Sequence, residues 1–234
     1  VGTLRFWREE APVLELVLWD IDHTLMATGG LGRELWGQAF EEVTGVALRE
    51  QAPVTGSTER VILRETARLH DVPYDDELFA AFAEALSAVH VRRAAELRER
   101  GHALPGAATL LAELAARGVR QSVVTGNVRG AAEVKLQTFG LDSCLELGEG
   151  AYGEDGEDRP GLIRTALARA FVAPGSAVFL GDTPADMDGG RQAEVRVVGV
   201  ATGRTSADAL REAGADEVLE DLSDTDRALA AIGA

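Results

Sequence analysis

Cysteine is almost missing. Cys144 is the single one in 234 residues, so no intrachain disulfide can form. One free thiol suits a reducing compartment, and the expected location is cytoplasmic. Nothing near Cys144 in the sequence would ionise it, so it reads as a small hydrophobe beside a strand. Basic residues are scarce as well: 23 Lys and Arg against 39 Asp and Glu, a formal charge of -16. That balance excludes nucleic acid as a partner, because a phosphate backbone is held by an excess of Lys and Arg. It would also repel a small phosphorylated metabolite at long range, but salt confines the repulsion to about 8–10 Å. The local charge of a site decides binding, and most of the acids serve to solvate the surface. No run approaches the ~20 apolar residues of a membrane span. The opening stretch Val1–Glu10 lacks the apolar segment of a secretion signal, so no membrane partner is expected. Internal repeats and low-complexity linkers are absent too.

What is present is alternation. Leu14–Ile21 (LELVLWDI) is short, apolar and rich in strand formers, and reads as a buried strand ending at Asp20. Similar runs recur at Val119–Thr125, Ala177–Gly181, Val195–Val200 and Glu217–Leu219. Helical patterns separate them at Gly106–Arg117, Gly130–Phe139, Pro160–Phe171, Ala185–Ala193, Ser206–Ala213 and Thr225–Ile232. Strands alternating with helices predict an α/β fold, a Rossmann-like parallel sheet covered on both faces, with ligands at the carboxyl ends of its strands. From Leu31 to Ala103 the alternation stops. No strand is expected there, only helices, among them one spanning Glu77–Arg100 with Leu78, Phe79, Phe82, Leu86 and Val89 at helical spacing. The expected organisation is a core of residues 1–30 and 104–234, with 31–103 as an inserted all-helical cap over the end of the first strand. Thr28-Gly29-Gly30 and the Gly101–Pro105 stretch would be its hinges. The cap should move as a body and set specificity by its inner face. Gly56-Ser57-Thr58 reads as the cap of a helix beginning near Glu59.

Four constellations carry chemistry. Asp20-Ile21-Asp22-His23-Thr24-Leu25 puts two carboxylates two residues apart as a strand finishes, so both can face the ligand crevice. Asp20 can serve as nucleophile and hard-cation ligand, and Asp22 as general acid and base. Thr125-Gly126-Asn127 closes the next core strand with a hydroxyl and free backbone N–H groups, suited to a phosphate oxygen or equally to capping the helix that follows. Arg159, between Asp158 and Pro160, could neutralise phosphate and nucleophile or simply lie on the surface. Gly181-Asp182-Thr183-Pro184-Ala185-Asp186 places two more carboxylates at a strand end, as helix-capping acids or as ligands of Mg²⁺.

In this order the four motifs resemble the haloacid dehalogenase-like hydrolases, and within them the phosphoglycolate-phosphatase-like branch with a helical cap between its first two motifs. The resemblance covers essentially the whole chain. It implies that Asp20 attacks phosphorus and becomes an aspartyl phosphate, while Asp22 protonates the leaving alkoxide and later activates water. It implies that Thr125, with Gly126, Asn127 and Arg159, holds the phosphoryl oxygens. Mg²⁺ would be bound by Asp20, the backbone carbonyl of Asp22, and Asp182, with Asp186 behind or through water. The implied enzyme is a Mg²⁺-dependent phosphatase of a small phosphorylated metabolite, as monomer or homodimer.

The sequence departs from the family pattern in three places. The third motif is usually lysine; Arg159 is taken for it here in preference to Lys135, which precedes a stretch, Phe139-Gly140-Leu141, that resembles the family's helix end. His23 stands where glycine is commonest and is read as fitting the turn. Thr28-Gly29-Gly30 replaces a more usual acidic or Ser-containing stretch. Dehalogenation would need neither a metal nor a second aspartate. A sugar phosphomutase shares the motifs and stays open, as does a non-catalytic phosphate- or metal-binding module.

Overall fold

The computed structural model describes residues 13–234; the first twelve, with the expected absence of a signal segment, lie outside the described residues. Five parallel strands form the sheet: β1 (Leu16–Trp19), β4 (Arg120–Val123), β5 (Ala177–Gly181), β6 (Arg196–Val200) and β7 (Glu217–Leu219), in the order β4-β1-β5-β6-β7. All four residues of β1 are fully buried, which is why its sequence is a continuous apolar run rather than an alternation. Successive side chains point to opposite faces. Val17 and Trp19 join one apolar cluster, and Leu16 and Leu18 join the other.

The first face is covered by α5 (Ala107–Ala116), α6 (Arg129–Thr138) and α10 (Thr225–Ile232), which supply Leu110, Leu136 and Leu229. The second is covered by α7 (Arg159–Ala170), α8 (Pro184–Gln192) and α9 (Ala207–Glu212), through Ile163, Met187 and Leu210. The Rossmann-like arrangement expected from the sequence is the one observed, with strand bounds shifted inwards by up to two residues at either end.

The inserted segment holds α1 (Leu31–Thr44), α2 (Glu59–Leu69), α3 (Asp76–Arg92) and α4 (Ala94–Arg100). Thr58 caps α2 as expected, its side chain accepting from Val61 N–H. Two expectations need correction. The helix over 77–100 is two helices, broken at Arg93. The segment is also not free of strand: β3 (His102–Ala103) pairs antiparallel with β2 (Met26–Ala27) just before the insertion begins. A two-residue ribbon carries no periodicity that a sequence could display.

This ribbon ties the two chain crossings together. Gly29 lies at φ 61°, and a Cβ there would sit 2.0 Å from the Arg100 carbonyl oxygen. Glycine at this point serves a packed double crossing as much as it loosens one. Among the described residues no helix is long and apolar enough to cross a membrane.

Candidate active site

Asp20 follows β1 directly. Its N–H donates to the Leu180 carbonyl on β5, so strand pairing runs on to the reactive residue. The chain then folds into a tight loop in which the Ile21 carbonyl accepts from the N–H groups of Leu25 and Met26. His23 sits within it at φ 62°. This left-handed position is one that glycine fills easily and His more readily than most residues, which accounts for the substitution.

Thr125 and Asn127 do not cap a helix. The N-cap of α6 is Val128, with no side-chain bond. Instead Asn127 Nδ2 donates to Thr125 Oγ1 and to Asp22 Oδ2, each at 2.7 Å. Lys135, from the buried face of α6, donates to both Asp22 oxygens at 2.9 and 2.7 Å and to Asn127 Oδ1 at 2.7 Å. Burial works against ionisation of Asp22, but the charge of Lys135 and the hydrogen bonds from Lys135 and Asn127 outweigh it. The Asp22 carboxyl is therefore held below the usual range and is ionised in the resting site.

Arg159 is buried, not on the surface. It opens α7 behind the N-cap Asp158. Its Nη2 lies 3.5 Å from Asp20 Oδ1, and its Nε 2.8 Å from Asp186 Oδ1. The latter contact is a close approach of charges rather than an aligned hydrogen bond, since neither atom has a partner in hydrogen-bonding geometry. Asp186 has a double task. Its other oxygen accepts from the Thr183 N–H and hydroxyl, closing a reciprocal cap at the start of α8. The helix-capping reading of the fourth motif thus holds for Asp186.

One oxygen from each of Asp20, Asp182 and Asp186 falls within 4.8 Å of the others, and all three residues are buried. Burial, and then repulsion from Asp186, raise the Asp20 carboxyl well above the ordinary carboxylate value, with Arg159 pulling the other way. Burial and Asp186 push Asp182 up to about 7. One guanidinium thus faces three clustered carboxylates. A hard divalent cation fits this all-oxygen donor set and would relieve the repulsion. The Asp22 carboxyl stands outside the cluster, taken by Lys135 and Asn127.

Asp20, Asp22, Thr125, Asn127, Lys135, Arg159 and Asp182, with Asp186 buried beneath them, form the floor of a cavity of about 280 Å³ whose other wall is the inserted segment, with Trp36, Glu59, Ile62, Leu86 and His90. Cap and floor touch at Gly126. The Glu59 N–H donates to the Gly126 carbonyl, and a Cβ on Gly126 would lie 2.3 Å from the Ser57 carbonyl oxygen. The sequence places Lys135 second to Arg159 and gives Trp36, Glu59 and His90 no mark as lining residues of this cavity. The available signal was polarity on an apolar stripe: Lys135 shares the buried face of Ala131, Ala132 and Leu136, and His90 that of Phe82, Leu86 and Val89.

A family model described as "Haloacid dehalogenase-like hydrolase" matches residues 17–200. Over 237 aligned positions the chain is 28% identical to validoxylamine A 7'-phosphate phosphatase of Streptomyces hygroscopicus subsp. limoneus, covering 90% of this chain and 95% of that one. It is 32% identical over 120 residues to phosphoglycolate phosphatase of Rhodospirillum rubrum, a match that spans 51% of this chain and only about half, 49%, of that protein. Among solved structures, a hydrolase from Pseudomonas syringae superposes with a TM-score of 0.68 at 21% identity, covering 94% of this chain and 99% of that one. A β-phosphoglucomutase from Clostridium difficile gives 0.69 at 16%, covering 94% and 98%. At such identities the two structures speak for the fold alone. With a family model spanning most of its length and curated relatives that carry phosphatase names, the chain belongs to the haloacid dehalogenase-like hydrolases.

Proposed function

We propose that this protein is a Mg²⁺-dependent phosphatase of a small phosphorylated metabolite, working through an aspartyl phosphate on Asp20. The observation that carries the reading is the division of charge on the cavity floor. Asp20, Asp182 and Asp186 cluster with Arg159, while Asp22 is held apart by Lys135 and Asn127. One carboxylate is thereby left free to attack and another to move protons. Asp20, Asp182 and Asp186, with the Asp22 backbone carbonyl, would hold the cation, which when bound neutralises charge on the phosphoryl group.

In the first half-reaction an Asp20 oxygen forms a bond to phosphorus as the ester P–O bond breaks. The leaving alkoxide takes a proton from Asp22. Lys135 keeps Asp22 ionised at rest, and arrival of a phosphate anion beside it raises its pKa, so the proton is gained when the leaving group needs it. In the second half-reaction Asp22 accepts a proton from water as that water attacks phosphorus and releases Asp20. Thr125, the Gly126 and Asn127 backbone and Arg159 would hold the phosphoryl oxygens, with charge stabilisation supplying much of the rate.

A -16 chain and a metabolite-sized cavity favour a small ester over a polymer. The lone, half-buried Cys144 keeps a cytoplasmic setting in the proposal, with monomer or homodimer as its assembly. The test is phosphate release from a panel of metabolite phosphates with Mg²⁺ and after chelation. Full activity after exhaustive chelation overturns the mechanism. An isomerised ester without free phosphate would make the protein a phosphomutase.

A further inference from the structure

The cap side of the cavity is not used by the reaction above, and its polar atoms have a definite polarity. His90, on α3, is buried, and its Nδ1 lies 2.8 Å from the Leu86 carbonyl oxygen. A carbonyl only accepts, so Nδ1 carries the hydrogen. Burial also pulls the imidazole pKa down to about 4, so the ring is neutral at pH 7. Nε2 is then a bare lone pair, and it has no hydrogen-bond partner. Lys135 cannot serve it, because all three ammonium donors are spent on Asp22 and Asn127.

Across the same cavity, Glu59 Oε2 accepts from Trp36 Nε1 at 2.6 Å. Its second oxygen has no such partner, and burial pushes the carboxyl up to about 7. The indole is fixed by stacking on Phe40, with centroids 5.5 Å apart, and by Phe82 at 5.0 Å. Trp36, Ile62 and Leu86 add apolar surface between the two acceptors. One buried acceptor without a donor, His90 Nε2, faces the uncommitted oxygen of the half-buried Glu59 across an aromatic and aliphatic wall, and a ligand with hydroxyl groups, which donate or accept, and C–H faces suits both. A carboxylate would set further acceptors against His90 Nε2 and against the Glu59 carboxyl. Arg33 and Arg204 also line the cavity, but both are exposed and so screened by water.

We propose that Trp36, Glu59 and His90 form the leaving-group subsite, and that it selects a hydroxyl-rich alcohol, such as a sugar or cyclitol monophosphate, over a carboxylate-bearing ester such as 2-phosphoglycolate. This rests on the phosphatase reading above and narrows it. Substrate hydroxyls donate to Glu59 and to His90 Nε2, and the ring's C–H faces lie against Trp36, Ile62 and Leu86. The alcohol is thus oriented while the floor handles phosphorus.

The experiment measures kcat/KM with Mg²⁺ for sugar and cyclitol monophosphates, 2-phosphoglycolate and 4-nitrophenyl phosphate, in the wild type, Glu59→Gln and His90→Phe. At least one polyol phosphate should exceed 2-phosphoglycolate by about tenfold or more. Each substitution should lower the ratio of polyol phosphate to aryl phosphate turnover by about 10- to 100-fold, the range for a lost hydrogen bond to a buried acceptor. In Glu59→Gln, which keeps an acceptor for Trp36 and guards against a folding artefact, turnover of 2-phosphoglycolate should rise relative to polyols. A wild-type preference for 2-phosphoglycolate, or substitutions that reduce every ester by the same factor, would overturn the subsite while leaving the phosphatase standing. Inactivity on every ester, aryl phosphate included, overturns both.

Discussion

On its core side the cavity is walled by the ends of β1, β4 and β5 and the helices that follow them; on its cap side it is walled by α1, α2 and α3. The core side buries carboxylates and sets them beside one another, and burial first, then repulsion from Asp186, pushes Asp20 and Asp182 well above their ordinary pKa. Strand register and a helix cap hold them there against their repulsion. The cap side has aromatic stacking, a Glu59 carboxyl held on one oxygen by Trp36, and a buried His90 Nε2 that lacks a donor. A crowded charged floor is suited to a charged reacting group, whichever alcohol bears it. An apolar wall with fixed lone pairs is suited to telling one alcohol from another. On the function proposed above, reaction and selectivity are assigned to separate pieces of chain, and substitutions should separate them.

The largest effect should come from the floor. Asp20→Asn is expected to reduce phosphate release on the order of 10⁴-fold or more, because an amide is a poor nucleophile. It should also raise the melting temperature of the metal-free protein, since it removes a carboxylate strained by burial and by Asp186. A variant that still traps phosphate covalently would move the nucleophile elsewhere.

Next are the two cations. Arg159→Ala and Lys135→Ala should each cost about 10²- to 10³-fold in kcat by loss of charge beside the phosphoryl group, with Arg159→Ala the more damaging. Thermal melts should separate them further. Arg159→Ala leaves Asp186 buried without its counter-charge, at about 3–5 kcal/mol. Asp22 is partly open to water and keeps Asn127, so Lys135→Ala should destabilise less. The reverse activity ranking would give the third-motif role to Lys135.

Acidity and metal test the floor as a unit. Asp20, and Asp182 at about 7, have folded-state pKa values above their unfolded ones, so between about pH 4 and 7 the native state holds protons that the unfolded chain has released. Stability of the metal-free protein should therefore fall as pH rises through that window. Mg²⁺ at a hundredfold excess over Kd should raise Tm by about 5–10 °C at pH 8 and by less at pH 5. Equal Mg²⁺ shifts at both values would count against the three-carboxylate site.

Two smaller changes probe the seam and the wall. Gly126→Ala puts a methyl against the Ser57 carbonyl and should lift the cap from the floor, raising KM about tenfold with a lesser change in kcat. Trp36→Phe removes one donor to Glu59 and should cost about 1 kcal/mol in Tm-derived stability, with selectivity disturbed more than aryl phosphate turnover.

The floor could be read from the sequence because buried parallel strands are short apolar runs, and their ends announce themselves as Asp20, Thr125 and Asp182. The roles of Thr125 and Asn127 in the Asp22 network could not, since a Thr or Asn before a helix reads as a cap. Lys135 ranks behind Arg159 on sequence because its burial on α6 and its contact with Asp22 depend on packing. Glu59 in the first turn of α2 reads as an acid suited to the helix dipole. Its meeting with Trp36 and His90 depends on how three helices pack, which no local pattern encodes. The break at Arg93 was hidden because good helix formers flank it on both sides.

The position of β1 has a consequence for how the molecule comes into being. Leu16 pairs on one side with Arg120 and on the other with Ala177. The second closure joins residues roughly 160 apart, a separation that slows folding. During synthesis β1 must wait, apolar and unpaired on both edges until β4 emerges and on one edge until β5 does. A ribosome stalled before residue 177 would carry Asp20 without the β5 edge that pairs with it. Such a nascent chain should aggregate readily and gain activity only as β5 arrives, late and all at once.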